Sequence, residues 1–233
     1  MTPNAEPAAQ PGGAPPSPWW LRAVFVALGM AAWFWTQSLI AKRSFPEGAI
    51  GDSIHTLTAP WHQYLLEHRP AANALLIVSS AFIDLLAVFL LGRTIFGPTV
   101  RPFLGLLILF GLRQVCQAVC ALPPPVGMIW HDPGFPSLVV TYGVANDLFF
   151  SGHTAIAVFG AVELARLGKR WLTVAGGCIA VFEIATVLVL RAHYLMDVFT
   201  GAVTALLVAV VAARLAPSTD ALLAKACPKS RAI

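Results

Sequence analysis

Two histidines, each at the start of an apolar segment, carry the chemistry of this sequence. Ser151-Gly152-His153 opens one segment, and His193, with Asp197 four residues later, opens another. Histidine is the side chain best suited to exchange protons near neutral pH. The spacing of four places Asp197 on the helical face of His193, where its carboxylate can bind one imidazole nitrogen and leave the other free. The pattern predicts a site for proton transfer or nucleophilic attack.

The start of the first segment also predicts an anion site. A helix N-terminus presents unpaired backbone N–H groups and the positive end of the helix dipole, which favours phosphate. Gly152 lets the backbone approach an anion closely, and Ser151 can cap the helix or donate to a phosphate oxygen. Taken alone, the motif is more typical of an ordinary helix cap than of a catalytic site, so the phosphate interpretation depends on the second histidine.

The elements that position these residues are membrane helices. Of the 233 residues 58% are hydrophobic and 11% charged, and the mean hydropathy is +0.74, which excludes an ordinary soluble domain. The net charge of +4 is spread over the loops, so we expect lipid substrates and no nucleic-acid partner. The four cysteines lack metal-ligand spacing, and no metal or cofactor is predicted. Six predicted transmembrane helices cover residues 19–40, 71–91, 102–122, 152–167, 172–190 and 194–215.

The predicted organisation is a disordered tail at 1–18, an all-α polytopic membrane domain at 19–216 and a cytoplasmic tail at 217–233. If the N-terminus is cytoplasmic, inner segments hold ten Lys and Arg residues and outer segments four, which favours cytoplasmic termini. Both histidines then lie at the outer face, toward the periplasm, a lumen or the exterior. The oligomeric state is left open.

Charged and aromatic residues near the site allow several roles. Arg113 lies within the third predicted span, where it needs a partner, and Asp84 and Glu183 are the candidates. An interhelical ion pair and a phosphate ligand are both open interpretations for it. Solvated or interfacial positions are predicted for the histidines of the outer loops, and an aromatic belt for the tryptophans at span edges, Trp130 among them. The outer-loop histidines are His55, His62, His68 and His131.

The motifs resemble a known family. Asp147-Leu148-Phe149-Phe150-Ser151-Gly152-His153-Thr154 and Ala192-His193-Tyr194-x-x-Asp197-Val198 are similar to the two catalytic motifs of the sphingomyelin synthase-like branch of the type 2 phosphatidic acid phosphatase superfamily. Leu112-Arg113-Gln114-Val115 resembles the arginine-bearing third helix of that branch, and the likeness covers roughly residues 100 to 205. The resemblance implies the six-helix bundle of that superfamily and a role in sphingolipid and phospholipid metabolism.

The resemblance also implies a mechanism. His193 would attack phosphorus, oriented by Asp197, and His153 would protonate the leaving alcohol and deprotonate the incoming one. Ser151 and Gly152, together with Arg113, Arg191 and Asp147, would bind the substrate.

Departures from the lipid phosphatases of the superfamily favour transfer. Their Lys-x6-Arg-Pro motif after the third helix is missing here, and Arg101-Pro102 precedes that helix on the opposite face. They carry an arginine six residues before the second histidine, where this chain has Val187; Arg191 is the available substitute. We therefore expect a transferase moving a phosphocholine or phosphoethanolamine headgroup between lipids. A lipid phosphatase or phospholipase C-like hydrolase is the alternative, and a non-catalytic lipid-binding protein is a third interpretation.

Overall fold

The computed structural model describes residues 31, 35, 50–120, 122–140, 142 and 148–226, and every regular element in these ranges is a helix. The chain divides into two compact units, Met1–Gly51 and Asp52–Ile233. In the first unit, residues 31 and 35 are helical. The predicted tail at 1–18, most of the predicted span at 19–40 and the predicted site residue Asp147 lie outside the described residues.

Seven helices belong to the second unit, and the all-α prediction is confirmed for the described ranges. They are α1 (Ser53–Leu57), α2 (Ala59–Glu67), α3 (Arg69–Phe96), α4 (Arg101–Val119), α5 (Gly152–Ala165), α6 (Arg170–Val189) and α7 (Leu195–Ala226). Helix α7 continues through Pro217, so the segment 217–226 is helical.

Four of these helices, α3, α4, α6 and α7, are long and apolar enough to cross a membrane. Helix α5 is apolar but has only 14 residues, which is short for a full crossing. The chain is therefore an integral membrane protein. The count of six spans and the phosphatidic acid phosphatase type 2-like bundle stay predictions.

Local sequence determines where the helices begin. Pro60, Pro70 and Pro102 each lie in the first turn of a helix, where the missing N–H would have no helical acceptor. The side chains of Asp52 and Ser151 accept hydrogen bonds from first-turn N–H groups of α1 and α5. These caps fix the starts of the two helices nearest the predicted chemistry.

The short connectors 97–100, 166–169 and 190–194 make the helices that they join antiparallel. Helices α4 and α5 are also antiparallel, since Arg101 contacts Glu163 at one end and Arg113 lies beside Gly152 at the other. Helix α5 is central, since it packs against α3, α4, α6 and α7. At the end where α5 and α7 begin, α4 and α6 finish, and we call this the site end. Half of the 14 residues of α5 are buried and none is exposed, which explains why an apolar segment of this length is stable among longer neighbours.

The opposite end of the bundle is held by charged side chains. Both carboxylate oxygens of Glu163 accept hydrogen bonds from Arg101, the shortest at 2.8 Å, and Glu163 is only 4% exposed. Asp220 of α7 accepts from the Thr99 hydroxyl and the Val100 N–H, just before α4 begins. Arg101 therefore joins α4 to α5 far from the two histidines.

Candidate active site

The imidazole of His193 is held in one orientation. Its Nδ1–H donates to the carbonyl of Leu148 at 3.0 Å, and Oδ2 of Asp197 lies 3.5 Å from the same nitrogen. Since Nδ1 carries the proton, Nε2 has the free lone pair. Asp197 is fully buried, and its Oδ2 also accepts from the N–H of Tyr194. The spacing of four predicted this pairing, and the carbonyl of Leu148 adds a second acceptor.

His193 follows a sharp helix ending. The N–H of Arg191 donates to Leu188 O and the N–H of Ala192 to Val187 O, the two bonds of a Schellman motif. Arg191 occupies the left-handed position with φ of 53°, where glycine is usual. Its guanidinium donates to the carbonyl of Val126 at 2.8 Å. Arg191 therefore shapes the turn that leads to His193.

His153 is presented by the first turn of α5. Ser151 Oγ accepts from Thr154 N–H, and Ser151 N–H donates to the Asp197 carbonyl at 3.0 Å, which links the starts of α5 and α7. Phe150, fully buried, has a φ of 86°, a strained value for a bulky residue. Nε2 of His153 is buried and makes no hydrogen bond within the described ranges. A buried polar atom without a partner marks a place where a ligand can bind.

The two histidines line one cavity of about 90 Å³, which we call the reaction cavity. Of the predicted site residues, His153, His193, Arg113 and Gly152 are among its lining residues. Ser151 and Asp197 support it from behind, and Arg191 is not among the lining residues. Its other walls are mostly apolar: Ile83, Phe110, Met128, Trp130, Val139, Val140, Leu148, Ile156 and Ala192.

Arg113 brings positive charge to the start of α5. A Cβ atom added to Gly152 would lie 3.4 Å from Nε of Arg113, so the missing side chain leaves room for the guanidinium. The two carboxylates considered as its partners bind elsewhere among the described residues. Asp84 accepts from the N–H groups of Leu138 and Val139, and Glu183 from the hydroxyl of Ser79.

One histidine from each of the helices α1 and α2, together with an aspartate, supports the site, and sequence reasoning missed all three. Nε2–H of His55 donates to the carbonyl of His193 at 2.9 Å, and Nδ1–H of His62 donates to Val189 O at 2.8 Å. Both are buried, so the prediction of solvated or interfacial positions is wrong for them. Burial lowers the pKa of His62, which favours its neutral form.

Asp52 joins two helix starts through its two carboxylate oxygens. Oδ1 accepts from Ile54 and His55 N–H in the first turn of α1, and Oδ2 accepts from Leu195 N–H, the first residue of α7, at 2.7 Å. The role of Asp52 in fixing the start of α7 carried no sequence signal, because the acceptor and the N–H donor are 143 residues apart.

Fold and site together define an integral membrane protein with a two-histidine cavity at one end of a helical bundle. Within the described residues no group of three or more His, Cys, Asp or Glu side chains could hold a metal ion. The family model for AtPDCT1/2 matches residues 52–214, most of the chain. The protein therefore belongs to the AtPDCT1/2 family, whose activity is that of a phosphatidylcholine:diacylglycerol cholinephosphotransferase. Searches of curated proteins and of solved structures give no match.

The family match corrects the sphingomyelin synthase-like assignment, which is wrong: the AtPDCT1/2 family is a different family and only loosely related. The resemblance rested on short motifs around two histidines, and motifs of a few residues do not distinguish one family from another that is loosely related. The matched region also begins at residue 52 and so includes α1 and α2, which the resemblance did not cover. Family membership indicates a membrane enzyme that transfers a phosphocholine headgroup, whereas sphingolipid metabolism is not supported.

Proposed function

We propose that this protein moves phosphocholine from phosphatidylcholine to diacylglycerol through a phosphohistidine intermediate on His193. The observation that carries the proposal is the fixed imidazole of His193. Its Nδ1–H is held by the Leu148 carbonyl beside Asp197, while the ring lines the same cavity as His153. This is the arrangement of a nucleophile oriented by a carboxylate, with a second base nearby.

The reaction would proceed in two balanced steps. Nε2 of His193 attacks phosphorus, the bond from phosphorus to the glycerol oxygen breaks, and His153 gives that oxygen a proton. Diacylglycerol leaves, and an incoming diacylglycerol then loses its hydroxyl proton to His153 as its oxygen attacks phosphorus. The bond from nitrogen to phosphorus breaks and His193 is restored. Arg113 and the first-turn N–H groups of α5 would neutralise the phosphate oxygens.

The apolar walls of the reaction cavity support transfer over hydrolysis. Apart from His153, His193, Arg113 and Gly152, the residues that line the cavity are apolar, and apolar surroundings favour an alcohol delivered from the bilayer over water as the acceptor. The distribution of Lys and Arg supports six spans with the site facing away from the cytoplasm. A cysteine replacing exposed Phe135 should then react with an impermeant reagent from outside intact cells. Labelling only after permeabilisation would show that the site faces the cytoplasm, opposite to the proposed orientation.

Because substrates and products are the same two lipid classes, net turnover is invisible without a label. Purified protein in phosphatidylcholine vesicles should receive diacylglycerol with deuterated acyl chains, and mass spectrometry should find deuterated phosphatidylcholine. Release of free phosphocholine without that product would establish hydrolysis in place of transfer. Absence of both products would refute the catalytic proposal.

Substitutions test the residue roles in the same assay. His193→Ala should abolish transfer, and His153→Ala should lower kcat by about 10²- to 10⁴-fold, the usual range for a general acid–base group. Asp197→Asn should cost less, because Leu148 still orients the imidazole. His68→Ala is the matched control, since the exposed imidazole of His68 is hydrogen-bonded to the carbonyl of Tyr64, one turn earlier, stacks on the ring of the same residue, and does not line the reaction cavity. Full activity of the His193→Ala variant would rule out His193 as the nucleophile.

A further inference from the structure

A second cavity adjoins the reaction cavity. It measures about 450 Å³ and is lined by Trp130, His131, Asp132, Ser137, Val140 and Tyr142; we call it the aromatic cavity. Trp130 and Val140 line both cavities. A lipid with its phosphate at the two histidines could therefore extend the outer part of its headgroup into the aromatic cavity.

Two aromatic rings form neighbouring walls of this cavity. The ring centroids of Trp130 and Tyr142 lie 5.1 Å apart with an angle of 43° between their planes. The Trp130 ring also meets the His153 ring edge to face, with centroids 5.1 Å apart. Tryptophan and tyrosine attract cations, including quaternary ammonium groups that have no N–H to donate. One wall of the aromatic cavity thus directly contacts a residue proposed to transfer protons.

The rings are held in place by their surroundings. On one side of Trp130, Ile129 N–H donates to the Leu190 carbonyl at 2.9 Å. On the other, Nε2–H of His131 donates to Oδ1 of Asn73 at 2.8 Å. The hydroxyl of Tyr142 is hydrogen-bonded to Ser80 of α3. A cation entering the cavity would meet walls that are already ordered, which lowers the entropic cost of binding.

Charges in the two cavities have opposite signs. Asp132 brings a carboxylate to the aromatic cavity, whereas Arg113 brings a guanidinium to the reaction cavity. Burial raises the pKa of Tyr142, and the negative charges of Asp132 and Asp84 act in the same direction. The arrangement suits a zwitterion whose phosphate lies at Arg113 and whose cation lies near Asp132.

We propose that the aromatic cavity binds the quaternary ammonium group of the choline headgroup, with Trp130 and Tyr142 as cation–π partners and Asp132 as the countercharge. The proposal rests on the proposed function for the identity of the donor lipid. It makes these three residues the determinants of headgroup specificity.

Binding can be measured without turnover. His193→Ala protein in detergent should be titrated calorimetrically with phosphocholine and, separately, with phosphoethanolamine. Phosphocholine should bind about tenfold more tightly, since phosphoethanolamine lacks the three methyl groups that fill an aromatic site. Adding Tyr142→Leu or Asp132→Asn should weaken phosphocholine binding by about 5- to 30-fold. Tyr142→Phe, which keeps the ring, should recover most of the loss.

Trp61→Leu is the matched control, because Trp61 is an exposed aromatic residue of α2 that lines neither cavity. Equal binding of both headgroups, or unchanged affinity in both Tyr142→Leu and Asp132→Asn, would overturn the subsite. The transfer assay separates the two proposals. Selective phosphocholine binding without transfer would refute only the proposed function, whereas transfer with unchanged headgroup preference in both variants would refute only the subsite.

Discussion

Gly201 of α7 lies against the start of α5, and replacing it with alanine should displace the site. Gly201 lies one turn after Asp197. An added Cβ would be 2.6 Å from the carbonyl oxygen of Ser151, closer than side-chain carbons approach such atoms. That oxygen accepts the Ala155 N–H in the first turn of α5. Because the clash is with a backbone atom, a rotamer change cannot relieve it. The two helices must therefore move apart.

Overpacking of this kind costs about 1–3 kcal/mol. For a chain of this size the unfolding temperature should fall by roughly 2–12 °C, at about 2–4 °C per kcal/mol. The activity should fall further than the stability implies, because Ser151 N–H is bonded to the Asp197 carbonyl and a shift moves His153 relative to His193. A displacement of about 1 Å can cost on the order of 10²-fold in rate.

The assay is thermal unfolding in detergent, followed by labelled phosphatidylcholine formation at a temperature where the variant is folded. Gly177→Ala in α6 is the matched control, because a Cβ there meets nothing within 4 Å. It should leave activity unchanged and keep or slightly raise stability, since alanine favours helix. If Gly201→Ala unfolds at the wild-type temperature and retains full activity, the close approach does not position the site.

Three further substitutions test the supports of the site. Asp52→Ala should destabilise the fold by about 1–4 kcal/mol, because the caps of two helix starts are lost. Asp52→Asn should cost about half as much, since an amide has one acceptor oxygen, and chemical denaturation measures both effects. Arg191→Gly should be more stable than Arg191→Ala by about 1 kcal/mol. Both variants lose the hydrogen bond to Val126, but only glycine adopts the left-handed conformation without strain. Equal stabilities of the two variants would show that the backbone at this position is not strained. Burial lowers the pKa of His62 in the folded state, so the unfolded protein binds more protons at this residue, and stability should fall as the pH drops below about 6.5. Thermal unfolding measured across this pH range should show a smaller fall for His62→Asn. His68→Asn should leave the pH dependence unchanged.

Four of the predicted apolar spans and the pairing of His193 with Asp197 could be predicted from the sequence, because hydropathy and helical spacing are local properties. The predicted span 71–91 lies within α3, Arg69–Phe96, and the cap at Ser151 is present. Local patterns did not reveal the roles of His55 and His62, since their acceptors are backbone carbonyls more than a hundred residues away. Any residue type can supply a carbonyl, so no pattern marks it.

Trp130 is a second residue whose role local sequence patterns do not reveal. Its position near the end of a span predicts an interfacial belt residue, and only the fold shows that its ring contacts His153. The family assignment was wrong for a related reason: motifs of a few residues describe a reaction, whereas the match over residues 52–214 reflects the whole bundle.

The bonds from α1 and its neighbours to the turn before α7 have a consequence for the order of synthesis. They join residues separated by 138, 127 and 143 positions. At about 5–20 residues per second, a ribosome would make the partners of His55, His62 and Asp52 roughly 6–30 s after those residues themselves. The proposed reaction centre therefore cannot be completed until the first residues of α7 emerge, and a nascent chain inserted in the membrane before that moment should be unable to act on the lipids around it.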